Sequence, residues 1–433
     1  MAEALDVHLY GTVIGQMVRS GPDAVTFETS AAAMDRFGVG SRILSRNLPL
    51  GPRPSSPAAA TAFFGGLLPE GTGLTNLAKQ AGAAANDVFA LVGYAGRDVA
   101  GAIRIGGADE PVERYEPLTD AQVAERLDRI NDYNLGVIGG GGSLAGYQPK
   151  TTLALLDGTW HAGIDGAAST HIIKPVGAGA EPALYAEAYC LDLSRRCGLT
   201  SYASTTRRFG ERLVLVIERY DRTVRPDGTV ERIHQEDAAQ ALGLPWRTDS
   251  KFEGVNPAAN LRNVAALLPR RRSILGTGTD DREALLAYTA FNTAIGNTDA
   301  HAKNFSTLHH PGGGITLAPL YDVSAHTLAV GGNLNVSMRI AGKAYQPDIT
   351  RDDLLAEGTS WGVEPGIALR VVNDTLEQLR YAVEDADQGQ ASSRLPLYIA
   401  NQARNLLDGR RAAVSAESPS LAVLAQVPPM PPR

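Results

Sequence analysis

Asp299 and Asn304 stand five residues apart in the string Gly296-Asn297-Thr298-Asp299-Ala300-His301-Ala302-Lys303-Asn304. Asp322 follows after an apolar run and a glycine turn, Pro311 to Gly314. Phosphoryl transfer to a hydroxyl uses such a set. One carboxylate orients the attacking hydroxyl and accepts its proton, while an amide oxygen and a second carboxylate supply hard oxygen ligands to a Mg²⁺ that bridges phosphates. A helix-to-strand loop whose Asp and Asn bond their own backbone has the same composition.

Other residues bear on the same chemistry. Lys174 closes the short apolar strand His171-Ile172-Ile173-Lys174-Pro175, where the strand lysine of kinases pairs phosphates, although a lysine at a strand end also snorkels to water. The helix expected from Ala183 to Cys197 carries Glu187 as a partner for it, with Glu181 as a competitor. Gly139 to Gly142 run into Ser143-Leu144-Ala145-Gly146, where successive N–H groups would cradle phosphate or a flexible linker would run. The strict templates fail. G-x-G-x-x-G is not met, Pro149 occupies the Walker glycine position before Lys150, and Ala145 the last glycine of a hydrolase elbow. The apolar strand Leu213 to Ile217 leaves through Glu218-Arg219-Tyr220-Asp221, the place of an adenine-binding hinge or of a charged strand rim. His301, His309 and His310 lack the spacing of a zinc site.

The elements that must position these groups are those of an ordinary globular protein. The 433 residues, with 40 basic and 47 acidic side chains and a net charge of −7, predict two or three domains and exclude a surface tuned throughout for nucleic acid. Cys190 and Cys197 are too few for a disulfide framework and fit a reducing cytoplasm. The N-terminus has no signal-peptide pattern, and no run approaches the ~18 apolar residues of a membrane span, so a cytosolic protein is expected. Leu5 to Met17 reads as one strand and Ala24 to Thr29 as another, with a turn at Ser20 to Asp23 and short helices after Gly71 and Asp87. Thr119 or Asp120 caps a helix, strands follow the glycine run, and beyond His234 the periods become helical. There Leu285, Tyr288, Phe291 and Ile295 share a face and Gly296 is a natural C-cap.

Taken jointly, SLAGYQPKTTL, THIIKP, VIERYDR, HQEDAAQALG, GNTDAHAKNFS and APLYDVSAH resemble, in order, the HipA-type serine/threonine kinases of bacterial toxin–antitoxin modules. LYGTVIGQM and FFGGLLPEG resemble the domain that precedes the kinase core there. The resemblance implies an α+β, two-lobed protein-kinase-like (HipA-like) fold, mixed α/β in its N-terminal part and mostly helical in its C-terminal lobe. It implies a β-rich domain over 1–108, a kinase N-lobe over 109–235 and a helical C-lobe over 236–416, and the proline pairs that end the chain predict a disordered tail over 417–433.

By position, Asp299 is then catalytic with Lys174 and Asn304, and Asn304 and Asp322 hold Mg²⁺. ATP is met by Ser143, Lys150, Lys174, Glu218, Tyr220, Gln235, Asp237 and His301. Ser143 falls on the autophosphorylated serine, where a phosphate adds about −1.5 to −2 charge beside the nucleotide. Ala300 stands where some members have Gly and Pro149 where some have Glu, and neither change removes a ligand. The implied target is a translation protein, an aminoacyl-tRNA synthetase such as the glutamate enzyme. The implied partner is a small helix-turn-helix, HipB-like antitoxin, through which operator DNA is reached. A small-molecule kinase and a catalytically silent corepressor stay open as alternatives.

Overall fold

The computed structural model describes residues 3–106, 113–130, 148–177, 179–247, 249–269, 280–329 and 332–413. The glycine run, Ser143 and the tail from Glu417 lie outside them. Two compact units divide the chain: Met1–Val176, Thr205–Ser250 and Ser306–Ala318 form the first, and Gly177–Ser204, Lys251–Phe305 and Pro319–Arg433 the second. Among the described residues no helix is long and apolar enough to cross a membrane.

The first unit begins where one strand was expected and two are found. β1 (Ala4–Leu9) and β2 (Thr12–Arg19) are antiparallel, with Leu9 opposite Thr12, so Tyr10 and Gly11 alone make the turn. Their φ angles of 49° and 74° are both positive, the geometry of a tight hairpin turn whose twist matches its strands. β3 (Val25–Thr29) joins on the other side of β2, and β4 (Arg104–Gly106) joins β1. Helices α1 (Ala31–Phe37), α2 (Pro57–Gly66), α3 (Gly71–Ala81) and α4 (Val88–Ala95) cover this sheet over a core that includes Val7, Ile14, Met17, Phe27, Phe63 and Phe64.

A six-stranded sheet follows in the order β5-β7-β6-β8-β10-β9. Its strands are β5 (Arg114–Leu118), β6 (Thr151–Leu156), β7 (Thr159–Ile164), β8 (His171–Pro175), β9 (Ser204–Phe209) and β10 (Arg212–Glu218). α5 (Asp120–Asp128) starts in a reciprocal capping box between Thr119 and Gln122 and lays Val123 and Leu127 on Leu153, Trp160, Ile173, Phe209, Val214 and Val216. The short hairpin β11 (Arg222–Val224) and β12 (Val230–Arg232) leads to β13 (His234–Asp237), which pairs with β14 (Ser306–His309) and, beyond it, β15 (Ile315–Leu317).

The second unit is mainly helical: α6 (Glu181–Arg196), α8 (Leu261–Leu267), α9 (Asp281–Ile295), α10 (Arg351–Ser360), α11 (Pro365–Asp385) and α12 (Arg394–Leu407). The short α7 (Ala238–Ala241) belongs to the first unit. α9 exceeds the one-faced helix that its spacing predicts, because every residue from Leu285 to Ile295 is buried. It is the central post against which α11 and α12 pack, and a two-stranded ribbon, β16 (Asn335–Ile340) and β17 (Lys343–Tyr345), lies in the same unit.

Polar networks pin the first unit from inside. Asp98, Arg219, Asp221 and Arg222 are all buried, with side chains no more than 6% exposed. Arg219 clasps Asp221 through Nε and Nη2 at 3.0 and 2.9 Å, and Arg222 donates to Asp98 at 3.0 Å and to the Gly101 carbonyl at 2.8 Å. Asp98 also accepts from the Ser169 amide and hydroxyl. Burial works against both carboxylates, yet Arg219 and Arg222 hold Asp98 and Asp221 below the ordinary carboxylate range.

A second network is neutral at one member. His234 donates from Nε2 to the Leu44 carbonyl at 2.6 Å, leaving Nδ1 to face the Ala102 amide at 3.4 Å. Its register partner His309 faces an acceptor at each nitrogen, the Arg42 carbonyl and Glu236. Burial, and His309 with its ring 5.4 Å away, push His234 down to about 3.

Two outcomes follow for stability. Asp98→Ala strands two buried guanidiniums with one carboxylate and costs about 3–5 kcal/mol, read as a lower urea midpoint. Asp128→Ala, which removes an exposed ion pair with Arg212, costs less than about 1 kcal/mol. As for pH, the folded pKa of His234 lies below its unfolded value of about 6.5, so its contribution is complete above that pH and is lost as pH falls toward about 3. Asp98 and Asp221 add a further loss only below about pH 4, the unfolded carboxylate value. Urea midpoints at pH 4, 5, 6 and 7 therefore fall steadily toward acid in the wild type, and His234→Gln flattens that slope; an unchanged slope refutes the assignment.

Candidate active site

In the second unit the catalytic-loop candidate starts where α9 stops. Gly296 ends the helix with φ 75°, and a Cβ there would meet Thr327 Oγ1 at 2.0 Å, so both conformation and space demand glycine. The chain then folds back on itself. The His301 amide donates to the Asp299 carbonyl at 2.7 Å, and Asn304 Nδ2 donates to the same carbonyl at 2.9 Å. With its nitrogen so engaged, the buried Asn304 keeps its amide oxygen as the acceptor end of the group. Asp299 is part-buried, and His301 is buried with its ring edge-on to Phe252 at 5.3 Å.

Asp322 reaches the same loop through its neighbour, since Tyr321 donates its hydroxyl to the Lys303 carbonyl at 2.7 Å. Asp322 itself is exposed, with φ 55°. That left-handed conformation is uncommon outside glycine and tolerated best by Asp and Asn. An amide oxygen and a carboxylate form an all-oxygen donor set, which suits Mg²⁺ because that ion takes one or two carboxylates and completes its shell with water and phosphate. Among the described residues no group of three or more His, Cys, Asp or Glu makes a metal cage by itself. Cys190 and Cys197 are buried, and burial pushes both thiols up to about 12, so neither is a nucleophile at neutral pH.

The first unit holds the other candidates. Lys174, buried near the end of β8, is in register with Leu215 of β10. The pairing of Thr151 with Ile173, continued by one residue, sets Lys150 across from Lys174, so two ammonium-bearing residues share one end of the sheet. Glu218 ends β10 opposite His171 and is exposed. Tyr220 donates its hydroxyl to Gln235 Oε1, and Gln235 Nε2 reaches Asp221 at 3.3 Å, so the hinge candidate and the β13 candidate form one hydrogen-bonded set. Asp237 caps α7: its carboxylate accepts from the Gln240 backbone N–H at 2.8 Å, and its own backbone N–H donates to Gln240 Oε1 at 3.0 Å. Glu187, the expected partner of Lys174, is a buried residue of α6 in the second unit.

Sequence reasoning missed three residues near these groups. Asp98 sits beneath the hinge segment in the charge cluster, and no motif marks it. Asn297 and His326 lie inside recognised strings, yet nothing in the spacing shows that they touch, as they do at 2.9 Å.

With the geometry in hand, comparison with known proteins is specific. Residues 142–385 match the family model of the HipA-like C-terminal domain, and residues 5–106 that of the HipA N-terminal domain. The "Putative kinase Y4mE" of Sinorhizobium fredii is 33% identical over 406 residues, covering 91% of this chain and 93% of that one. The serine/threonine-protein kinase toxin HipA of Shewanella oneidensis is 29% identical over 275 residues, 60% of this chain and 62% of its own. A solved structure of the Shewanella oneidensis HipA with HipB and operator DNA superposes with a TM-score of 0.72 at 22% identity, covering 98% of this chain and 100% of that one. The fold is therefore the expected α+β, two-lobed kinase-like class, and the chain belongs to the HipA family.

Proposed function

We propose that this chain is an ATP- and Mg²⁺-dependent serine/threonine-protein kinase, the toxin of a toxin–antitoxin module. The observation that supports the reading is one folded loop that carries Asp299 and Asn304, closed by the Asn304 Nδ2 bond to the Asp299 carbonyl and tied through Lys303 to Tyr321, the residue before Asp322. The names of two relatives, a serine/threonine-protein kinase toxin and a putative kinase, support it.

In this reading Asp299 orients a serine hydroxyl and accepts its proton as the hydroxyl oxygen bonds to the γ-phosphorus and the bond to ADP breaks. Asn304 and Asp322 would hold Mg²⁺, which would neutralise phosphate charge. Lys174 and Lys150 bring positive charge to the phosphates. Glu218 and Tyr220 meet the adenine by hinge backbone, with Gln235, Asp237 and His301 lining the nucleotide. Ser143 is the proposed autophosphorylation site. The domain limits proposed are 1–108, 109–235, 236–416 and 417–433. The structural relative was solved with HipB and operator DNA, which supports a HipB-like helix-turn-helix partner here and contact with DNA through it. The proposed target is an aminoacyl-tRNA synthetase, such as the glutamate enzyme.

The test is transfer from labelled ATP and Mg²⁺ into the purified chain and into a cytosolic extract. Label is expected on Ser143 and on one extract protein. Asp299→Gln lowers both by about 10²–10⁴-fold while ATP binding persists, and Ser143→Ala loses only the label on the chain itself. ATP consumption driven by a metabolite without protein label would make it a small-molecule kinase, and no transfer with retained antitoxin binding would make it a corepressor.

A further inference from the structure

We propose that Asn297 and His326 are positioning residues that set the distance between Asp299 and Asp322 before any metal arrives. The inference rests on the kinase reading for the roles of those two aspartates. Its geometry lies entirely within the second unit.

The orientation of the Asn297 amide is forced. The Asp299 backbone N–H can only donate, and it points at Asn297 Oδ1 at 3.2 Å. The nitrogen end then donates to Asn292 Oδ1 on α9 at 2.9 Å. His326 Nδ1 faces the same Oδ1 at 2.9 Å, so that ring nitrogen carries the hydrogen. One oxygen, on a side chain 3% exposed, thus receives the amide of the catalytic candidate and the ring of a residue four positions after Asp322.

A second clasp lies beside the first. The Thr327 amide donates to the Gly296 carbonyl at 3.0 Å, so residues 296 and 297 are joined to 327 and 326. The loop is held separately from its other side, where the Ser337 amide and hydroxyl on β16 both donate to the Thr298 carbonyl at 2.9 Å. Loss of His326 alone therefore leaves the loop folded. What it releases is one of the clasps between the loop that carries Asp299 and Asn304 and the segment that carries Asp322, and the Asn304–Asp322 donor pair, less firmly spaced, binds a cation less tightly because ordering it opposes binding.

The experiment uses the full chain and the variants His326→Phe, His326→Gln and Asn297→Ala. Binding of ADP is measured by calorimetry without metal and with Mg²⁺, alongside melting temperature and the Mg²⁺ dependence of phosphoryl transfer. His326→Phe is expected to raise the half-saturating Mg²⁺ concentration at least tenfold, with metal-free ADP affinity within about twofold of wild type. His326→Gln, which keeps a donor, recovers most of that loss, and Asn297→Ala is at least as impaired as His326→Phe. Wild-type Mg²⁺ dependence in His326→Phe overturns the proposal. So does an equal loss of metal-free and metal-dependent binding that Gln fails to recover, since that marks a role in folding alone. The Mg²⁺ effect on ADP binding requires no catalysis, so absence of phosphoryl transfer in the wild type would defeat the kinase reading while the binding ratios still decide the clamp.

Discussion

Four buried charges must neutralise one another for the first unit to exist. Asp98, Arg219, Asp221 and Arg222 are each nearly or wholly sealed from water, where an isolated ion would cost several kcal/mol. Their sum is zero, and Nη donors of the two arginines also reach Ser169 and the carbonyls of Val99 and Gly101, while the buried Arg222 Nε has no acceptor among the described residues. Such a cluster is less a source of stability than a demand for one register, because apolar residues of similar volume would tolerate small shifts that these groups do not. The hinge candidate carries two of the four, with Arg222 directly after it, and Asp221 continues through Gln235 to Tyr220. A hinge that meets a nucleotide by its backbone gains from being held in this way.

The second unit solves a different problem. α9 is buried on every side, so the loop that follows it begins in the interior and its polar backbone must find partners there. Asn297, Thr298 and Asn304 supply or anchor them: Asn297 satisfies the Asp299 amide, Thr298 Oγ1 donates to the Asn333 carbonyl at 2.7 Å, and Asn304 satisfies the Asp299 carbonyl. The catalytic candidate is thereby bonded at both its N–H and its C=O.

Much of this was legible in sequence, and the failures have physical causes. The helix before Gly296, a helix capped at Thr119 or Asp120 and the buried strand Leu213 to Ile217 all follow from spacing and cap chemistry, which are local. The break at Tyr10 escaped because apolar residues run through Leu5 to Met17 on both sides of it, and Tyr is a rare occupant of a positive-φ turn position. Asp98 escaped because its arginine partners lie more than 120 residues on, and a single Asp after Arg97 looks like any loop acid. Strand pairing hides information in the same way: His234 meets His309 only through the β13–β14 register. The Asn297 contact with His326 spans 29 positions and is invisible without the fold, although both residues stand in strings that the family resemblance had already singled out.

The setting of Asp322 differs from that of the buried carboxylates of the first unit. Asp98 and Asp221 are engulfed by guanidiniums and held well below the ordinary range, so they are fully committed to the fold. Asp322 is exposed, and its backbone sits at φ 55°, a conformation that costs an ordinary L-residue about 1–2 kcal/mol. Its neighbours impose that conformation: Tyr321 is tied to the Lys303 carbonyl, and Val323 is fully buried. Between two anchored residues the chain has little choice of direction, and the residue stands at the surface. In the proposed role of Mg²⁺ ligand, Asp322 would gain from both, reach for exchange and a base held between anchors.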